Sequence, residues 1–141
     1  MAGSAIGEAN ALNNLGWAYI QLGNYDRALA SCTEGLRQLE ELGYREGQAA
    51  TWHSLGTVHR RLGQVDEAIR CFRRAADIFR ELGHRYREAQ TIADLGDAYL
   101  AGGETIVARL LWQYSVAALD RLGHPLSHTV RARLAARDNA A

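Results

Sequence analysis

The sequence predicts an all-α fold: three helix-turn-helix units in a row, closed by one more helix, seven helices in all. Three observations predict it. Six residue columns recur with a shift of 40. Within each repeat the apolar residues step by three and four, the period of one helical face. Each helical stretch runs into a glycine, the residue that best ends a helix.

The columns are Leu15, Leu55 and Leu95; Gly16, Gly56 and Gly96; Gly23, Gly63 and Gly103; Ala28, Ala68 and Ala108; Ala9, Ala49 and Ala89; and Gly43, Gly83 and Gly123. In the first unit, helix A carries the stripe Ala9, Leu12, Leu15, Ala18, Tyr19 and Leu22. Gly23 ends it, and Asn24 and Asp26 suit the start of the next helix by capping and by charge. Helix B carries Ala28, Leu29, Cys32, Leu36 and Leu39 and stops at Leu42-Gly43. The units are expected at 7–46, 47–86 and 87–124, in one domain spanning 1–141. Pro125 fits a first helical turn. Leu126, Val130 and Leu134 then step by four, with Arg131, Arg133 and Arg137 expected outward. This closing helix, over 125–137, covers the open face of the last unit, as the end of a repeat stack requires.

Gly16, Gly56 and Gly96 fall inside helix A, where glycine costs about 1 kcal/mol against alanine. Their expected return is close approach of helix B, with Ala28, Ala68 and Ala108 as the matching small surface.

The columns resemble the tetratricopeptide repeat. Its pattern is met by Leu12, Leu15, Gly16, Tyr19, Ala28, Cys32 and Gly35 in the first unit. The second offers Trp52, Leu55, Gly56, His59, Ala68, Phe72 and Ala75. The third offers Ile92, Leu95, Gly96, Tyr99, Ala108, Trp112 and Ser115. The closing Pro of the pattern is replaced by Leu-Gly, and the unit is longer than the usual length of about 34 residues. The resemblance implies a right-handed superhelix with helix A lining a concave groove. The 40-residue period, the "LG.R..EA" joints and the Arg-only basicity are also similar to the C-terminal repeats of actinobacterial antibiotic-regulatory (SARP-type) transcription factors. A first unit that starts without a preceding cap is what a segment cut from a longer regulator would show.

By column, the implied groove presents Asn10, Asn13, Trp17 and Gln21 from the first unit. The second presents His53, Thr57, Arg60 and Arg61, and the third Gln90, Asp94 and Asp97. Cations would sit in the middle and carboxylates at one end. The family's Lys-based clamp for peptide C-termini is not reproduced, because the chain has no Lys. A second candidate surface is peculiar to the third unit. Ile106, Val107, Leu110 and Leu111 replace Asp26, Arg27, Ala30 and Ser31 of the first unit and Asp66, Glu67, Arg70 and Cys71 of the second. This apolar patch is expected to be covered by the closing helix or by a second copy in a weak homodimer.

No catalytic motif is present: no GxSxG, HExxH, P-loop or CxxC. His84 and His124 share the column of Tyr44 and read as joint residues. His124 and His128 lack a third ligand, so neither a metal nor another cofactor is expected. Asp94 and Asp97, one turn apart, read as a solvated groove wall. Cys71 reads as a half-buried small residue of helix B. Arg60, Arg61, Arg70, Arg73 and Arg74 alternate with Asp66, Glu67 and Asp77 and read as an ion-paired face.

The function expected is therefore binding, not catalysis: a protein-interaction scaffold, with sensing of a small peptide or metabolite as the alternative. No apolar run approaches the ~18 residues of a membrane span. The first residues lack the basic and apolar regions of a signal peptide. The cytoplasm is expected, where a Cys32–Cys71 disulfide is disfavoured. Sixteen Lys+Arg, all Arg, balance sixteen Asp+Glu. Without an excess of cations to displace phosphate counterions, the chain should not bind DNA directly. A salt-dependent anisotropy change with duplex DNA at micromolar protein would overturn that.

Overall fold

The computed structural model describes residues 2–140, with side chains for 3–136. It contains α1 (Ala2–Gln21), α2 (Tyr25–Glu41), α3 (Arg45–Arg61), α4 (Val65–Glu81), α5 (Arg85–Ala101), α6 (Thr105–Arg121) and α7 (Leu126–Ala140). Among the described residues there is no strand, and no helix is long and apolar enough to cross a membrane. Helices pair as α1/α2, α3/α4 and α5/α6, each pair packs on the next, and α7 packs on α6.

All six joints between these seven helices have one geometry. At the Leu42-Gly43 joint, Gly43 donates to the carbonyl of Glu40 at 3.1 Å and Tyr44 to that of Leu39 at 3.0 Å. These two bonds satisfy carbonyls that the helix end leaves open. They need φ of 68° at Gly43, which a Cβ would strain. The remaining joint glycines, at 23, 63, 83, 103 and 123, also have positive φ. The leucine before the glycine packs less than expected: Leu42, Leu62, Leu82 and Leu122 all stay substantially exposed.

The mid-helix glycines mark the tightest contacts. A Cβ on Gly16 would lie 2.2 Å from the Cys32 sulfur. On Gly56 it would lie 2.7 Å from the Phe72 ring, and on Gly96 2.7 Å from Trp112 Nε1. What fills the notch is thus the side chain four residues beyond the expected alanine. The alanines take part through their backbone: the carbonyls of Ala28 and Ala108 approach to 3.4 and 3.2 Å. Ala28, Ala68 and Ala108 are fully buried. Each notch and its plug lock helix A to helix B, and the plug grows from thiol to phenyl to indole along the chain.

The first stripe departs from expectation. Leu15 is 46% exposed, whereas Leu55 and Leu95 in its column are 5% and 6% exposed. Ala18 and Leu22 are exposed too, while Ile20 is buried. The reason is positional. Leu55 shares a core cluster with Cys32 and Leu36 of α2, and Leu95 one with Ala68 and Phe72 of α4. Among the described residues no helix packs on that side of α1.

At the other end, Leu126 and Leu134 pack partly buried around the fully buried Val130, against Trp112 and Leu119. Arg131 reaches Asp120 at 2.5 Å on the surface. Arg133 does not turn to solvent: it reaches Asp97 of α5 at 3.2 Å. The side chain of Arg137 lies outside the described residues.

Substituting the central notch tests this packing. Gly56→Ala should lose about 1–3 kcal/mol by overpacking against Phe72, although alanine is the better helix former. Gly7, in α1, has nothing near its missing Cβ. Gly7→Ala should gain about 0.5–1 kcal/mol. Urea denaturation of both variants reads the opposite signs, and equal signs would remove the notch from the account.

Candidate binding groove

Helices α1, α3 and α5 present one side chain set to a common cavity of 370 Å³. Asn13, Asn14 and Trp17 come from α1, Ala50, His53 and Ser54 from α3, and Arg87 and Gln90 from α5. Equivalent columns meet here because the three A helices lie side by side. Four of the expected groove residues, Asn13, Trp17, His53 and Gln90, line this cavity. Asn10 lines a neighbouring one of 310 Å³ with Asn13, Asn14, Tyr44, Glu46, Gly47 and Ala50.

The others are placed differently. Thr57 is buried and its hydroxyl donates to the His53 carbonyl at 3.1 Å. Gln21 and Arg61 are exposed and Arg60 is half-buried, but none lines either cavity. Asp94 and Asp97 are not a solvated wall. Asp94 Oδ2 lies 2.7 Å from Nε2 of the buried His53. Asp97 meets Arg133 at 3.2 Å and accepts from Trp112 Nε1 at 3.1 Å. The polarity expected along the groove is therefore largely cancelled by internal pairing.

Packing fixes the His53 ring. It lies between the Trp17 ring, 6.2 Å away, and the Phe72 ring, 5.5 Å away. Arg87 was not anticipated. Its guanidinium lies 5.0 Å from the centroid of the Phe79 ring and donates to Gln90 Oε1 at 3.0 Å. Burial pulls its pKa below that of a free arginine. The signal for it was present in the sequence: Arg87 occupies the column of Gly7 and Gly47. Asn14 and Ser54 were also missed, although they share the column of the chosen Asp94.

The apolar patch divides in two. Ile106 and Leu110 are 77% and 60% exposed. Val107 is half-buried, and Leu111 packs beside Phe72, Leu95 and Ala98. Its column was never an exposed one, since Ser31 and Cys71 are buried. The Ser31 hydroxyl donates to the Leu12 carbonyl at 2.7 Å. α7 leaves Ile106 and Leu110 uncovered. His124 is held as a joint residue, stacked on Tyr86 at 4.2 Å, and its Nδ1 accepts from the Leu126 amide at 3.1 Å.

A larger, more apolar cavity of 620 Å³ lies among α2, α3 and α4, around Leu36, Trp52, Leu55 and Cys71. It is open because small residues line it. Where it has Thr33, His59 and Cys71, the next joint has Arg73, Tyr99 and Leu111. There Arg73 bonds the Tyr99 hydroxyl and Leu111 enters the core. Cys71 is not poised for reaction, since burial pushes its thiol up to about 11.

Asp97 offers a pH test. Burial holds its carboxyl above the usual range; Arg133 opposes this and Asp94 reinforces it. A group with a raised folded pKa keeps its proton better in the native state. Its contribution to stability is present in acid and is lost as pH rises through the folded pKa. For Asp97 that window lies above 3.8. The unfolding free energy of the parent minus that of Asp97→Asn should fall with rising pH in this window and then level. A flat difference would mean that Asp97 titrates as in the unfolded chain.

The repeat geometry has counterparts among known proteins. Residues 47–119 and 9–41 each match a family model described as tetratricopeptide repeat. The TPR domain of Arabidopsis FLU superposes with a TM-score of 0.74 at 14% identity, covering 86% of this chain and 99% of that one. BtubC (BKLC) from P. vanneervenii superposes with a TM-score of 0.67 at 26% identity. That match covers 89% of this chain but only 47% of BtubC. A comparison with curated proteins finds no match. With three notched helix pairs in the structure and the model over 47–119 taking in more than half of its length, the chain belongs to the tetratricopeptide repeat family.

Proposed function

We propose that the chain is a protein-interaction scaffold, the regulatory repeat segment of a bacterial transcriptional regulator acting in the cytoplasm. The observation that carries the binding role is the groove itself. Trp17 stands partly exposed among the amides of Asn13, Asn14 and Gln90. An aromatic anchor with neighbouring amides suits an extended peptide, whose backbone needs both donors and acceptors. The regulator context rests on the joints, the period and the Arg-only basicity noted above. Repeats of this family serve as protein-binding scaffolds rather than catalysts.

A second reading, sensing of a small peptide or metabolite, is favoured by the cavity volume of 370 Å³. That lies at the lower end of small-ligand pockets, roughly 300–1,000 Å³. The pair Ile106 and Leu110 supports a further role in a weak homodimer, since one apolar patch can pair with itself across a two-fold axis.

The decisive comparison is a chromosomal Trp17→Ala/Asn13→Ala variant against the parent. The parent should retain a crosslinked protein partner that the variant loses, and the transcript profile should change with it. A retained partner would remove the groove, and an unchanged profile the regulatory role. A thermal shift with small molecules but no protein partner would favour sensing. Sedimentation of Leu110→Arg beside the parent checks the dimer, which fails if both stay monomeric at high concentration.

A further inference from the structure

The 620 Å³ cavity among α2, α3 and α4 lies apart from the groove of the A helices. Trp52, Leu55 and His59 face it at three- and four-residue steps, one side of α3. Ala50, His53 and Ser54 of the same helix line the groove instead, and the two cavities share no lining residue.

The neighbouring joint shows what fits the cavity. Its floor is apolar: Leu36, Leu55 and Cys71 are buried in one cluster, with Trp52 packed against it. At the next joint the column of Cys71 holds Leu111, which packs with Phe72, Leu95 and Ala98. Above it Arg73 bonds the Tyr99 hydroxyl, its guanidinium 5.7 Å from the ring centroid. In the columns of that pair the cavity has only Thr33 and His59. His59 is drawn to its own joint, with Nδ1 2.6 Å from Gln64 Oε1. An aliphatic group and the bridge over it are thus what the cavity lacks.

Charge defines the rest. α4 brings Arg70 and Arg74 to the rim one turn apart, both exposed. Glu67 is the one carboxylate in the lining, and it lies 3.9 Å from Arg70. Arg74 takes no carboxylate among the described residues. At the next joint these three columns hold Val107, Leu110 and Tyr114, so the charged rim is peculiar to this cavity. Two cations against one carboxylate leave a surplus of one positive charge, which suits a monoanion. Arginine holds a carboxylate through two parallel hydrogen bonds. An apolar pocket of this size with a few convergent polar groups is the usual form of a small-molecule site.

We propose that this cavity binds a small aliphatic monocarboxylate. Its tail would lie against Leu36, Trp52, Leu55 and Cys71, and its carboxylate would rest on Arg74 and Arg70. The site is independent of what the groove binds, so each can fail without the other.

The probe is octanoate, titrated at neutral pH into the isotope-labelled full chain, below its micelle concentration. It should shift the Trp52 indole and the methyl groups of Leu36 and Leu55, and leave Asn13 and Trp17 still. Octanol and octylamine should bind more weakly by about tenfold or more, as loss of a charge-assisted hydrogen bond does. Arg74→Glu, a surface change, should remove the preference for octanoate over octanol. Cys71→Leu should fill the cavity and abolish binding of both. Circular dichroism checks that each variant folds, and if Cys71→Leu does not, Arg74→Glu decides alone. Equal binding of the three probes would overturn the proposal. So would an unmoved Trp52 indole at the highest concentration, or shifts confined to Ile106 and Leu110. An acetylated Leu-Ala-Leu peptide that binds there more tightly than octanoate would give the site to a chain terminus instead.

Discussion

The fold depends on how closely two helices of a pair approach. Glycine at 16, 56 and 96 costs helix stability in isolation, yet removes the one atom that would hold helix B away. Into that notch go Cys32, Phe72 and Trp112, all buried. Once the pairs are closed, the A helices fall side by side and the groove columns line up. Trp112 links the two levels directly, because its indole donates to Asp97 as well as to the Ala93 carbonyl.

Pairing within the protein governs what the groove offers a partner. His53 and Asp94 use each other, and Asp97 is committed to Arg133 and Trp112. What remains for a ligand is amide-rich, with the Trp17 ring beside it and Arg87, tucked against Phe79, as a cation in its lining. Such a surface selects by shape and hydrogen bonding more than by net charge, in keeping with a chain whose acids and bases balance.

The period of 40 made the helices, their order and their stops legible, because a joint glycine and a mid-helix glycine leave marks in fixed columns. Burial was legible only where a unit has neighbours on both sides. Leu15 reads like Leu55 in the sequence, and only stacking tells them apart. The groove was half legible. Column logic found Asn13, Trp17, His53 and Gln90, since position in the repeat decides which way a helix A residue points. It could not find the partners they take. Arg133 comes from α7, outside the repeat, and reaches back 36 residues to Asp97. Nor could it foresee Thr57 turning inward to bond a carbonyl of its own helix.

The growing plug has a consequence for exchange between units. In a linear stack each unit is stabilised by itself and by its immediate neighbours. A thiol fills the first notch, a phenyl the second and an indole the third, so the side chain buried in the notch grows from one end to the other. The smallest plug lies in the first unit, and the largest in the unit that α7 covers. The three notches are thus not interchangeable: a plug moved from one pair to another would overfill or underfill the notch it entered.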